Sequence, residues 1–216
     1  MTKSSSIIEI CKRLYSKNML AAADGNVSQR MPRGQILITP TQLHKGFIKA
    51  KDLAVVDLKS GRVVRGSPSG ERAMHLEIYR RYPQAQAVIH AHPPHAVAWS
   101  IARPELRELP AESMSELILA LGRIPIIPYA RPGTQDMGTT LVAALGTPPC
   151  RVAILARHGA VSWGESIEEA YRGMERLEHA AYILKLAEDL GGITPLAHAE
   201  VQHLRAMRRD LGEVSL

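Results

Sequence analysis

The chain has 216 residues, 45% hydrophobic and 22% charged, with a net charge of +6. That length and balance suit one globular domain with a sizeable core and exclude a mainly disordered chain. Aromatic content is only 4% and the basic residues are scattered, which argues against nucleic acid as a partner. No apolar run approaches the roughly 18 residues of a membrane span.

From Ser6, a natural N-cap, the apolar residues Ile7, Ile10, Cys11 and Leu14 recur at helical spacing. Gly25 and Asn26 read as a turn, and Val27 and Ser28 begin a strand. Residues 36–39, stopped by Pro40, form a second strand. Residues 55–58 form a third, and the turn at 59–62 returns the chain through Val63 and Val64 as a hairpin. Loop chemistry over 66–70 leads into a helix that runs to about Arg81, just ahead of Tyr82-Pro83. Ser69 is its expected N-cap, and Glu71 falls in its first turn, where the helix dipole favours a carboxylate.

Residues 88–92 are the next strand, stopped by Pro93 and Pro94. Helices follow at about 96–101 and 114–121. Residues 124–129 are extended, and their prolines suit a sheet edge. A helix from 136 to 145 precedes the apolar strand 152–156. The capping box Ser166-Ile167-Glu168-Glu169 opens the longest helix, which stops at Gly191-Gly192. Residues from about 193 to 216 read as a C-terminal tail with a short helix near 201–207. No repeat or linker divides the chain, so a single domain spanning 1–216, built as an α/β/α sandwich, is expected. Cys11 and Cys150 lie far apart and outside any metal-binding spacing. The first six residues lack an apolar signal segment, so a reducing, cytoplasmic setting is expected.

The chemistry concentrates in Val88-Ile89-His90-Ala91-His92-Pro93-Pro94-His95. On a strand, residues two apart face the same side, so the imidazoles of His90 and His92 point into one space, about 7 Å apart along the strand. Such a pair starts a divalent metal site, because imidazole suits zinc, copper, iron and nickel. A catalytic zinc site generally takes three protein ligands. His158 is the best-placed third: it follows an apolar strand and precedes a glycine, at a strand end as His92 does. Other histidines compete. His95 follows Pro94, His75 and His179 fall on helices, and His44, His198 and His203 read as loop or tail. Glu71 is the candidate acid/base. Ser67, Ser69 and Gly70 beside it, with the free N–H groups of a helix start, make a candidate anion cradle.

Taken together, Gly25-Asn26-Val27-Ser28, Thr39-Pro40-Thr41, Pro68-Ser69-Gly70-Glu71, His90-Ala91-His92 and His158-Gly159 resemble the class II aldolase/adducin-head family, in the family's order and over about residues 7–190. The resemblance implies an α/β/α fold around a mostly antiparallel central sheet. It implies a cytoplasmic homotetramer with interfacial active sites, and one Zn2+ per subunit on His90, His92 and His158, with Glu71 ligating the resting metal and then serving as acid/base. It implies a phosphate site of Gly25, Asn26, Thr41, Gln42, Ser69 and Gly70. The family's epimerases carry an aspartate where Glu71 stands, so Glu71 favours aldol chemistry. The expected activity is a zinc-dependent aldehyde-lyase that cleaves a small phosphorylated ketose through an enediolate, giving dihydroxyacetone phosphate and an aldehyde. Alternatives are a 4-epimerase, a dehydratase, a keto-acid phosphate decarboxylase, a zinc hydrolase, or a non-catalytic module like the adducin head. Departures are Gln42 and Gly70 where the aldolases often have glycine and serine, and Met114 where an interfacial tyrosine is used.

Overall fold

A computed structural model describes residues 2–131 and 133–212. Eight strands form one sheet: β1 (Asn26–Met31), β2 (Gln35–Ile38), β3 (Ala54–Asp57), β4 (Val63–Arg65), β5 (Ala87–Ala91), β6 (Ile126–Ile127), β7 (Val152–Leu155) and β8 (Gly159–Gly164). Their order is β4-β3-β2-β1-β5-β8-β7-β6, and every pairing is antiparallel except β6 with β7. The helices are α1 (Lys3–Ser16), α2 (Arg72–Arg81), α3 (Pro94–Ala102), α4 (Ser115–Ala120), α5 (Gln135–Leu145), α6 (Ile167–Asp189) and α7 (His198–Asp210). The expected α/β/α arrangement around a mostly antiparallel sheet is therefore present.

Strand alternation builds both cores. In β5, Ala87, Ile89 and Ala91 face the layer of α1, α3, α4 and α6, while Val88 turns to the layer of α2 and α5. His90 shares the side of Val88, so the imidazole enters from the α2 face. A third, small cluster seats Val201 and Leu204 of α7 on Ile118 of α4. The tail thus carries a 13-residue helix, longer than the short one expected. No helix among the described residues is long and apolar enough to cross a membrane.

Several local readings change. Thr2, not Ser6, caps α1, accepting from Ser5 N at 3.2 Å. Ser6 lies inside the first turn and donates back to the Thr2 carbonyl at 3.1 Å. No strand was expected after His158, yet β8 lies there between β5 and β7 with every residue buried. A strand covered on both faces lacks the polar alternation that marks a half-exposed one. Residues 126–127 do form the edge strand β6, as their flanking prolines suggest.

Candidate metal centre

β5 ends one residue before His92, and the chain keeps its extended course there, with His92 N donating to the Met19 carbonyl at 2.8 Å. His158 sits in the tight turn joining β7 to β8, opened by Arg157 at φ +60. Because β8 pairs with β5, this turn lies beside the end of the histidine strand, where Ala160 opposes Ala91. The 65 residues that lie between His92 and His158 in sequence are therefore no separation in space. Candidate ligand atoms of His90, His92 and His158 all lie within 4.8 Å of one another.

Gly159 makes this closeness possible. A Cβ on it would stand 2.5 Å from the Ala91 carbonyl oxygen, 2.8 Å from Cε1 of His90 and 2.8 Å from Cδ2 of His92.

Glu71 reaches the same space. It occupies the N-cap position of α2 rather than the first turn, and its side chain makes no capping bond. Ser69 Oγ accepts the Glu71 N–H at 3.2 Å instead. The carboxylate is thereby released toward the histidines. Its Oε2 lies 3.2 Å from His90 Nε2 and its Oε1 3.2 Å from His158 Nε2. Asn26 Nδ2 donates to Oε2 at 2.8 Å. Burial presses the Glu71 carboxyl upward, but the imidazoles of His158 and His90 beside it outweigh burial and hold the group well below the usual carboxylate range. His92 is the most open of the imidazoles, with Asp24 Oδ2 3.7 Å from its Nδ1. Burial, helped by the neighbouring imidazoles, pushes its pKa down to about 4.

These groups suit a metal. His90 Nδ1 lies 2.9 Å from the Ala160 carbonyl oxygen, which can only accept, so the proton sits on Nδ1 and Nε2 presents a lone pair. That lone pair faces His92 Nε2 and Glu71 Oε2, each at 3.2 Å. A ring lone pair set beside a carboxylate oxygen and a second ring nitrogen is a place for a cation. The spacing fits as well, since ligands bound at 2.0–2.1 Å around a tetrahedral zinc lie about 3.3 Å apart. Glu71 Oε1 is also buried without a well-directed hydrogen bond among the described residues.

Three loops meet beside this centre. Thr41 N donates to the Ser67 carbonyl at 3.0 Å and Ser69 N to the Thr39 carbonyl at 3.1 Å, so the loops holding Thr41 and Gln42 and holding Ser69 and Gly70 run side by side. Thr39 Oγ1 accepts from Val27 N at 3.1 Å, tying them to the loop of Gly25 and Asn26. The buried ammonium of Lys45 donates to the carbonyls of Ala23 at 2.6 Å and Leu43 at 2.7 Å, a second tie. Gly25 has φ +68, and a Cβ there would overlap Leu20 and approach the His90 carbonyl oxygen to 2.8 Å. Gln42, at φ +57, and Gly70 are exposed, Thr41 is half-buried and Ser69 is buried. All six residues expected of a phosphate site are thus in neighbouring loops.

Among the other histidines, His95 is bound by Glu178 of α6 through Nδ1 at 2.7 Å and through its backbone N–H. It lines a separate cavity of about 650 Å³ with Met19, Arg176 and Tyr182, whose lining includes none of Glu71, His90, His92 and His158. Met114 is half-buried against the core at the start of α4. His75 is the residue that the sequence reading passes over. It is fully buried beneath Glu71, between Asn26 and Ser28, and burial pushes its pKa down to about 3. Its signal was the spacing Glu71, His75, Tyr79, which lines one face of a helix.

Comparison with known proteins points to one family. L-fuculose phosphate aldolase of Methanococcus vannielii is 33% identical over 174 residues, 81% of this chain and 91% of the relative. The 3-oxo-tetronate 4-phosphate decarboxylase of Escherichia coli strain K12 is 29% identical over 202 residues, 91% of this chain and 92% of the relative. A solved L-fuculose 1-phosphate aldolase superposes with a TM-score of 0.85 at 27% identity, covering 96% of each chain. The family model of the class II aldolase and adducin N-terminal domain matches residues 5–184, and the chain belongs to that family.

Proposed function

We propose that this protein is a zinc-dependent lyase that cleaves a small phosphorylated ketose to dihydroxyacetone phosphate and an aldehyde. The convergence of the imidazoles of His90, His92 and His158 with the Glu71 carboxylate is the observation that carries this reading. Zinc held there would act as a Lewis acid toward the substrate carbonyl and adjacent hydroxyl oxygens, lowering the energy of the enediolate by several kcal/mol.

The remaining work falls to the chain. The loops of Gly25, Asn26, Thr41, Gln42, Ser69 and Gly70 grip the phosphate through N–H and hydroxyl groups and bring the reacting carbon to the centre. Cleavage breaks the bond between the α- and β-carbons of the ketone. The β-carbon leaves as the aldehyde, its hydroxyl proton passing to water, and the bonding pair stays on the α-carbon as the enediolate. Glu71, having taken up a proton from water, then delivers it to that α-carbon. The reading extends to a homotetramer, with a neighbouring copy closing each site. A non-catalytic module, as in the adducin head, would have no use for this concentration of ligating groups.

One residue favours a second reading. Met114 stands where the aldolase pattern has a tyrosine, and it offers no acid or base. Decarboxylation of a phosphorylated 3-keto acid yields the same enediolate and the same dihydroxyacetone phosphate, but its leaving group is CO2. No hydroxyl proton then has to be removed on the far side.

Incubation of the zinc-loaded protein with a panel of phosphorylated ketoses and keto acids separates these readings. Dihydroxyacetone phosphate with an aldehyde supports the lyase, and dihydroxyacetone phosphate with CO2 supports the decarboxylase. Neither product from any substrate, with metal bound, overturns both.

A further inference from the structure

Asn26 uses both ends of its side-chain amide in buried bonds. Nδ2 donates to Glu71 Oε2 at 2.8 Å, and Oδ1 is in short contact with His75 Nε2. Rotated by half a turn, the same amide would set its oxygen against a carboxylate. The orientation therefore depends on a donor at Oδ1, and among the described residues the Nε2–H of His75 supplies it.

The far side of the ring accommodates that tautomer. His75 Nδ1 lies 2.7 Å from Ser28 Oγ, and Ser28 Oγ lies 2.9 Å from the Tyr79 hydroxyl. With the proton on Nε2, Nδ1 accepts from Ser28, and Ser28 accepts from Tyr79. Each donor then has one acceptor, all running toward Glu71. Asn26, Ser28, His75 and Tyr79 are all buried to 1% exposure or less. A buried polar chain satisfied at every link holds a single arrangement, because any rotation leaves unpaired groups at a cost of about 1–3 kcal/mol each.

We propose that His75 is a positioning residue for Glu71. It fixes the amide of Asn26, and the amide fixes the carboxylate beside His90 and His158. His75 does not relay protons, since an amide stands between it and Glu71, so Glu71 exchanges its proton on the open side of the site. The inference deepens the reading of Glu71 as acid/base and assigns the Asn26 side chain to that group.

Crystal structures of the zinc-loaded full chain carrying H75M or H75Q test the placement directly. In H75M both bonds of the ring are lost. The Asn26 amide is expected to turn and the Glu71 carboxylate to leave its place near His90. H75Q, which keeps a donor, retains both. Should H75M not fold, H75N, whose amide is too short to reach Asn26, is read in its stead. A Glu71 carboxylate and an Asn26 amide unmoved in a variant that places no donor at Asn26 Oδ1 overturn the proposal.

Turnover gives the second readout. Misplacing a reacting group by about 1 Å costs up to ~10²-fold, so H75M is expected to lose kcat on that scale with KM little changed, and H75Q to recover most of it. A purely stabilising role would lower the melting temperature and leave kcat per folded molecule unchanged, which also overturns the proposal. If the wild type turns over no sugar phosphate, the proposed reaction fails, while the crystallographic comparison still decides for or against His75.

Discussion

Gly159 opposes the end of β5 so closely that a Cβ on it would stand 2.5 Å from the Ala91 carbonyl oxygen and 2.8 Å from the His90 ring. G159A must therefore push the turn of His158 and the start of β8 away from the end of β5 and its imidazoles. Overpacking of this kind costs about 1–3 kcal/mol, and here the strain falls on the ligands themselves. Thermal melts and zinc titrations of G159A are expected to show both a lower melting temperature and weaker zinc binding. A lower melting temperature with unchanged zinc affinity would mean that the turn and the site are independent.

Glu71 and His92 separate chemistry from metal retention. E71Q keeps the shape of the side chain and leaves the three imidazoles in place, so zinc stoichiometry persists while proton transfer is lost, a fall of about 10²–10⁴-fold in kcat. H92A removes a ligand and is expected to lose metal and activity together with the fold intact by circular dichroism. Normal turnover by E71Q would remove Glu71 from the acid/base role.

Lys45 ties two loops of the proposed phosphate cradle through the carbonyls of Ala23 and Leu43. K45M leaves both acceptors without their donor, a loss of about 1–3 kcal/mol. Denaturant unfolding should register that loss, and KM for a phosphorylated substrate should rise more than kcat falls. An unchanged KM would detach these loops from phosphate binding.

His75 sets a pH dependence in the metal-free protein. Burial lowers its pKa from 6.5 to about 3, so between those values the unfolded chain binds a proton that the native chain refuses. Stability is therefore full above about pH 6.5 and falls on acidification, by about 1.4 kcal/mol per pH unit from this group. Urea unfolding in the presence of a chelator at pH 7, 6 and 5 should show the decline, and H75Q should flatten it. Equal slopes in the two proteins would contradict the buried, neutral ring.

The parts of the site that follow from short-range geometry were legible in the sequence. His90 and His92 share a side because strand side chains alternate, and the proline pair marks where the strand stops. His158 was legible only as a histidine at a strand end, because its approach depends on β8, whose buried residues lack the alternation of a half-exposed strand. The fold class followed from alternating elements and from the ordered family motifs. Glu71 was placed two positions too far into its helix, since Ser69 accepts the Glu71 N–H without being the N-cap itself. His75 was read only as a histidine on a helix, because its role lies in what it bonds to on β1, at Asn26 and Ser28, and nothing local announces those partners.

The claim on which the rest stands is that His90, His92 and His158 share one cation, and anomalous scattering at the zinc edge from crystals of the zinc-loaded protein tests it most directly. The expected result is a single strong peak per chain, about 2.0–2.1 Å from a nitrogen of each of the three imidazoles. Zinc bound at another place, or density at this centre that touches only one or two of the rings, would contradict it.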